Sequence, residues 1–234
     1  MNLRKLLPVV IYLALLCQLV FVVVQPIHSL RYNLLMLGLS GLLLAWSAYL
    51  VRRRRWALGI LAVLLALPLL TLLNWRALDP VELRSRYLDQ LASFAGTDYV
   101  WGGENRCGID CSGLPRKSLI NALAGYGLMH ANGRALVHAC TLWWYDASAL
   151  ELLGGYGGET LAETPVYRIN QLNEAARPGD LAVTKGGAHV MVYLDAHTII
   201  QAEPGRGSVV IDTIPATNHW FDEPVRLVHW QVLQ

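Results

Sequence analysis

Three long apolar runs open the chain: Leu6 to Val24, Tyr32 to Val51 and Trp56 to Trp75, each 19 or 20 residues without a charge. A helix rises about 1.5 Å per residue, so each run spans roughly 30 Å, the hydrocarbon thickness of a bilayer. The pattern predicts three transmembrane helices within residues 1–76. Pro8 and Pro68 fit that reading, because neighbouring helices and local adjustment re-satisfy a freed carbonyl in lipid.

From residue 77 onward the period changes. Asp79, Pro80 and Glu82 supply a helix cap, a proline at the first helical position and an acid in the first turn. Leu83, Tyr87, Leu88, Leu91 and Phe94 then recur at helical spacing until Gly96. Beyond Asp180, short β-rich runs at 180–184, 189–194, 198–202, 208–213 and 225–232 alternate with turn chemistry such as Lys185-Gly186-Gly187. They predict a meander of about five antiparallel strands, and helices followed by strands make residues 77–234 an α+β domain. The stretch 125–170, with Trp143, Trp144, Tyr145 and the glycine-rich 154–158, reads as an insertion whose aromatics fit local core better than a lid or interaction loop.

Charge sharpens the membrane expectation. Every acidic residue lies at or beyond Asp79, so the first 75 residues carry +7 and the remainder −5. The pI near 8.4 averages two unlike parts and gives no argument for nucleic acid. Arg4, Lys5 and Arg52 to Arg55 fall on one side of the expected spans, and Arg31 alone on the other. By the positive-inside rule the amino terminus is cytoplasmic and the domain after Trp75 faces outward. A cleaved signal peptide fits less well, since the first run exceeds the usual apolar region and no small-x-small site precedes Gln25 and Pro26. Cys17 lacks the small residue expected before a lipidated cysteine.

The chemistry concentrates in Tyr99 to Leu114, YVWGGENRCGIDCSGL. Outside the cytoplasm, disulfide bonding is open to Cys107, Cys111 and Cys140, and three thiols leave one unpaired; a Cys107–Cys140 pair stays an open possibility. A zinc site from Cys107, Cys111, His138 and Cys140 lacks the Cys-x-x-Cys spacing of structural sites, so neither metal nor other cofactor is expected. A nucleophile fits better. Asp110 can cap a helix whose first residue is Cys111, where free N–H groups and the dipole lower a thiol's pKa and receive an oxyanion. Strand period puts His189, Met191 and Tyr193 on one face, and a tight hairpin at Asp195-Ala196 brings residue 189 opposite, or one step from, Gln201. That amide sits among Ile199, Ile200 and Ala202 and needs a polar partner, which an imidazole supplies.

Tyr99-x-Trp101-Gly102-Gly103, Asp110-Cys111-Ser112-Gly113-Leu114, Pro178-Gly179-Asp180-Leu181, His189-Val190 and Ile200-Gln201-Ala202 together resemble the NlpC/P60 cysteine peptidases. The motifs stand in family order from about Pro80 to the carboxyl end. The resemblance implies a papain-like α+β fold with Cys111 as nucleophile, His189 as base then acid, and Gln201 as third polar residue. It further implies that Tyr99 lines the site near the oxyanion, and that Asp110 and Ser112 help hold the peptide's free amino end. The substrates implied are peptidoglycan stem peptides, cut between γ-D-glutamyl and a diamino acid, with the domain on the periplasmic or cell-wall side of a bacterial inner membrane. Three departures stand out: Gln201 where histidine is commoner, Pro115 in the nucleophile helix, and the insertion at 125–170. Two rivals remain, a non-turnover module that grips wall peptides or a partner, and an amidase or acyltransferase acting on another amide.

Overall fold

The computed structural model describes residues 3–53, 71–171 and 176–234, with 56, 58–60, 62, 63 and 66 between them. Leu3–Val24 (α1) and Leu30–Val51 (α2) pack as a hairpin, with Trp46 Nε1 donating to the Pro8 carbonyl at 3.0 Å. Their outward side chains are apolar and exposed; Val20, Phe21 and Leu42 each show more than half their surface. Among the described residues one helical stretch, Leu30–Leu50, is long and apolar enough to cross a membrane, and α1 offers a shorter one, Pro8–Val24. The three expected spans therefore reduce to one candidate. Arg4 and Lys5 lie inside α1 and shorten its uncharged part, and the third expected span, 56–75, falls largely outside the described residues.

Asp79 caps the next helix as its sequence implies. Its Oδ1 accepts from the Val81 and Glu82 N–H groups at 2.9 and 3.3 Å, Pro80 occupies the first turn, and the helix runs Pro80–Ser93 (α3). Leu83, Tyr87 and Leu91 are fully buried, each such side chain contributing about 2 kcal/mol by removal from water. A two-stranded ribbon, Glu104–Asn105 (β1) with Gly108–Ile109 (β2), precedes Gly113–Met129 (α4) and Gly133–Trp144 (α5). Pro115 stands fifth after Asp110, whose carbonyl already accepts the Leu114 N–H, so it has no N–H to give the Cys111 carbonyl, yet the helix continues to Met129.

The expected insertion folds as part of the domain. After α5 come Ala149–Leu153 (α6) and Thr160–Ala162 (β3), and Ala135, Ala139, Leu142 and Leu152 join the main core. Then follow Leu181–Thr184 (β4), Val190–Tyr193 (β5), Thr198–Glu203 (β6), Ser208–Thr213 (β7), His219–Asp222 (α7) and Val225–Trp230 (β8).

The five expected strands are present and β3 adds a sixth, all antiparallel in the order β3-β8-β4-β5-β6-β7. The order departs from a simple meander. Val225, Leu227, Val228 and Trp230 are all buried, so β8 needs neighbours on both sides and inserts between β3 and β4. The far strand β7 keeps Ile211 exposed and takes Thr97–Tyr99 along its edge through Val209 N–H to Thr97 and Tyr99 N–H to Gly207. Val183, Val190, Val192 and Ile200 face the helices, whereas Ala182, Met191, Tyr193 and Ile199 face a second core closed by Phe221.

Candidate active site

Asp110 builds the corner that holds the thiol. Its carbonyl accepts the Leu114 N–H at 3.0 Å, and its Oδ1 accepts from the backbone of Ser112 (3.0 Å) and Gly113 (2.6 Å) and from the Ser112 hydroxyl (3.0 Å). Oδ2 takes the Gly102 N–H at 2.8 Å. Hydrogen bonding therefore starts the helix at Asp110, one turn-fraction ahead of the assigned α4, with Cys111 as its first residue. Glycine is obligatory at 113, since a Cβ there would lie 2.4 Å from the Gly103 carbonyl.

The Cys111 side chain is buried, with the backbone N–H groups of Val190, Cys111 and Ser112 near enough to its Sγ to favour the thiolate. The first of these places it against the start of β5, beside His189. Burial first, then the neighbouring Asp110 carboxylate, pushes the thiol up to about 11, against the three N–H groups that favour the thiolate. The helix terminus supplies the anticipated donors, but desolvation outweighs them in the resting protein.

His189 is fixed from its backbone outward. Thr184 Oγ1 accepts the Ala188 and His189 N–H groups at 2.9 and 3.0 Å, and Thr184 N–H donates to the His189 carbonyl at 3.1 Å, clamping the turn between β4 and β5. The ring stacks on Trp220 with centroids 4.3 Å apart. Its Nε2 lies 2.7 Å from Gln201 Oε1. Burial lowers the imidazole to about 4, opposed by the Gln201 hydrogen bond and by Glu203, and reinforced by His219.

A further layer sets the direction of that bond. Gln201 Nε2 donates to Asp212 Oδ2 at 2.9 Å, and Asp212 also receives Arg206 at 2.7 Å and the Asn218 amide at 3.4 Å. A carboxylate only accepts, so the amide nitrogen must face Asp212 and the amide oxygen must face His189. The imidazole proton then sits on Nε2, which leaves Nδ1 as the basic nitrogen.

Asp212 and Trp220 escaped the sequence reading. A charged residue between Ile211 and Thr213 was the available signal for Asp212, and the β6–β7 register, with Gln201 opposite Val210 and Ile199 opposite Asp212, makes it diagonal to Gln201. Nothing in the local pattern marks Trp220.

Cys111 opens on a cleft of about 430 Å³ walled by Trp101, Ser112, Asp146, Ser148, Glu151 and Ala188. Tyr99 faces the same corner. Its hydroxyl is pushed up to about 12 by burial, then by Cys111 and Asp110. Behind the cleft the fully buried Arg116 bonds Glu104, Asp146 and the carbonyls of Leu142 (2.8 Å) and Tyr145 (3.0 Å), tying β1 to the end of α5. Among the described residues, His28, Glu104 and Asp146 bring ligand atoms within 4.8 Å of one another. The Arg116 guanidinium already bridges the two carboxylates, so the donor set fits a buried ion pair better than a metal ion. All four cysteines are free thiols, and His138 bonds Glu159 at 2.7 Å in place of any thiol.

Compared with known proteins, the sequence matches the family description "NlpC/P60 family" over residues 96–227, more than half of the chain. The chain belongs to the NlpC/P60 family. That span holds Tyr99, Asp110, Cys111, Ser112, His189 and Gln201, and NlpC/P60 members are cysteine peptidases and peptidoglycan hydrolases. No curated protein matches significantly. Among solved structures, the peptidoglycan hydrolase RipB from Mycobacterium tuberculosis is 17% identical, with TM-score 0.41, covering 66% of this chain and 67% of that one. NlpC2 from Trichomonas vaginalis is 15% identical, with TM-score 0.42, covering 67% of this chain and 50% of that one. The P60 domain of an antigen from M. avium subspecies paratuberculosis is 17% identical, with TM-score 0.40, covering 66% and 98% respectively.

Proposed function

We propose that this NlpC/P60 chain is a cysteine hydrolase of peptidoglycan stem peptides, cutting the bond between γ-D-glutamyl and a diamino acid. The observation that carries the reading is the directed chain Asp212–Gln201–His189, which leaves Nδ1 basic on the residue adjoining the one whose N–H meets Cys111 Sγ. Because the resting thiol is protonated and the resting imidazole neutral, the pair acts by general-base catalysis. Nδ1 takes the thiol proton as sulfur adds to the carbonyl carbon. The oxyanion forms beside the Cys111 N–H, since those of Ser112, Gly113 and Leu114 already donate to Asp110, with the Tyr99 hydroxyl lining that corner. His189 returns the proton to the leaving amine, and water activated by the same imidazole releases the γ-D-glutamyl carboxylate from the thioester. Asp110 already accepts four internal bonds, so its part in holding a peptide amino end runs through Ser112 and the loop it braces. No metal or cofactor enters this scheme.

The α1–α2 hairpin is the anchor in this proposal. Its exposed apolar surface suits lipid, and its connecting loop docks beside the site, with His28 N–H donating to Gly102 and Glu104 N–H to Pro26, both at 2.8 Å. The positive-inside asymmetry sets the amino terminus and Arg52 to Arg55 in the cytoplasm. The domain shares the cell-wall side of a bacterial inner membrane with the 26–28 loop only if the uncharged run Trp56 to Trp75 crosses as well, which this proposal includes.

Mass spectrometry of a defined stem peptide incubated with the purified chain tests the reaction. Release of a free γ-D-glutamyl carboxylate supports it. Transfer of the acyl group to an added amine, or cleavage of a different amide instead, favours the acyltransferase or amidase. Retention of the peptide intact favours the binding module.

A further inference from the structure

The helix α5 is held at both ends by residues near the ends of apolar segments. At its start, Gly133 N–H donates to the Asn74 carbonyl at 2.8 Å, the Asn74 amide donates to Ala131 at 2.9 Å, and the Asn132 amide donates to Arg76 at 3.2 Å. Backbone contact is close enough that a Cβ at Gly133 would lie 2.6 Å from Leu72 Cα. At its end, the Asn33 amide reaches the Trp143 carbonyl at 3.4 Å, and the His28 ring meets Trp143 edge-on at 6.3 Å. Asn74 closes the third apolar run, and Asn33 lies in the first turn of α2, just past the hairpin loop. Twelve residues span about 18 Å, so α5 runs from one exit to the other.

We propose that α5 lies on the bilayer surface, its outer face seated at the headgroup–acyl boundary. This rests on the reading that the α1–α2 hairpin is a membrane anchor. Leu136, Val137, Cys140, Trp143 and Trp144 form, with Leu72, an apolar groove of about 440 Å³ that is continuous with the end of the third apolar run. Two tryptophans and Tyr145 at one helix end are the side chains that favour a membrane interface. Charge agrees. Helix α5 carries no acidic residue of its own, Arg134 on it is exposed, and the Glu159 carboxylate that approaches it is bonded by His138 at 2.7 Å. A helix without acids suits anionic headgroups.

Fluorescence quenching on the full chain in phosphatidylglycerol-containing nanodiscs tests the proposal. Three single-cysteine forms, all carrying Cys111→Ala and retaining Cys17, retaining Cys140, or bearing Ala196→Cys in the exposed turn after β5, take an environment-sensitive label. Nitroxide placed high on the acyl chains is expected to quench the Cys17 and Cys140 labels strongly, and aqueous iodide to quench the Ala196→Cys label. A Cys140 label that lipid nitroxide leaves bright while Cys17 is quenched overturns the seating of α5 alone; shielding from both quenchers would mark a protein partner instead. If Cys17 also escapes lipid quenching, the anchor itself falls. Val137→Glu with Trp144→Glu supplies a second measure, expected to move the Cys140 label from lipid-quenched to iodide-quenched without altering the circular dichroism.

Discussion

Gln201 presents its amide oxygen to His189 Nε2 at 2.7 Å because its nitrogen is claimed by Asp212 at 2.9 Å. The direction of one amide thus selects which imidazole nitrogen is basic. An asparagine at 212 can donate as well as accept, so Asp212→Asn frees Gln201 to turn over and protonates the wrong nitrogen. The expected loss in kcat is roughly 10²-fold, within the span of a misplaced general base, with KM little changed. The ¹⁵N shifts of His189 report the tautomer directly, and a purely structural defect would leave them as in wild type.

Shielding by Trp220 is part of what keeps the imidazole neutral. Trp220→Ala opens His189 to water, and its pKa rises from about 4 toward the ordinary 6.5. The acid limb of kcat/KM moves to higher pH accordingly. A pH–rate profile checks this; an unmoved limb removes Trp220 from the account.

The resting nucleophile is a thiol. Since burial holds Cys111 up at about 11, alkylation by iodoacetamide in the absence of substrate should climb about tenfold per pH unit from neutrality without a plateau below that value. Thiolate absorbance near 240 nm at pH 7, present in wild type and missing in Cys111→Ala, would show a preformed ion pair instead.

His229 on β8 reaches Asp180 at 2.7 Å and Glu163 at 3.0 Å, and these carboxylates, Asp180 first, raise its pKa above 6.5. A raised folded pKa contributes stability that is fully present below pH 6.5 and is lost as pH rises through the folded value. Thermal midpoints of wild type should therefore fall relative to His229→Gln on going from pH 6 into the alkaline range. Parallel curves for the two proteins would contradict the linkage.

Local rules made much of this legible in the sequence. Asp79-Pro80-Val81-Glu82 encodes its own helix start, and period two assigned Met191 and Tyr193 to one face and Val190 and Val192 to the other, as their separate cores show. His189 and Gln201 meet, but as a diagonal pair: Val192 lies opposite Ile200, which sets Met191 rather than His189 against Gln201, two residues off the register the hairpin predicted. The return of β8 to β4 and the diagonal approach of Asp212 depend on which strands find partners across long loops, which local alternation does not carry. The thiol's direction was missed for a related reason: a helix start is visible in sequence, whereas the burial that outweighs it is a property of the folded corner. The segment 125–170 carried helix signals that went unread: Asn132 caps Gly133–Trp144, and Ser148 with Glu151 forms a capping box for Ala149–Leu153.

The central claim is that Cys111 sulfur carries the acyl group. Wild-type protein mixed with a defined stem peptide, quenched in acid within a single turnover and mapped by mass spectrometry, should carry the acyl mass on the peptide containing Cys111, and Cys111→Ala should neither acquire that mass nor release product. Equal cleavage by the two proteins, or an adduct on any other residue, would contradict the account.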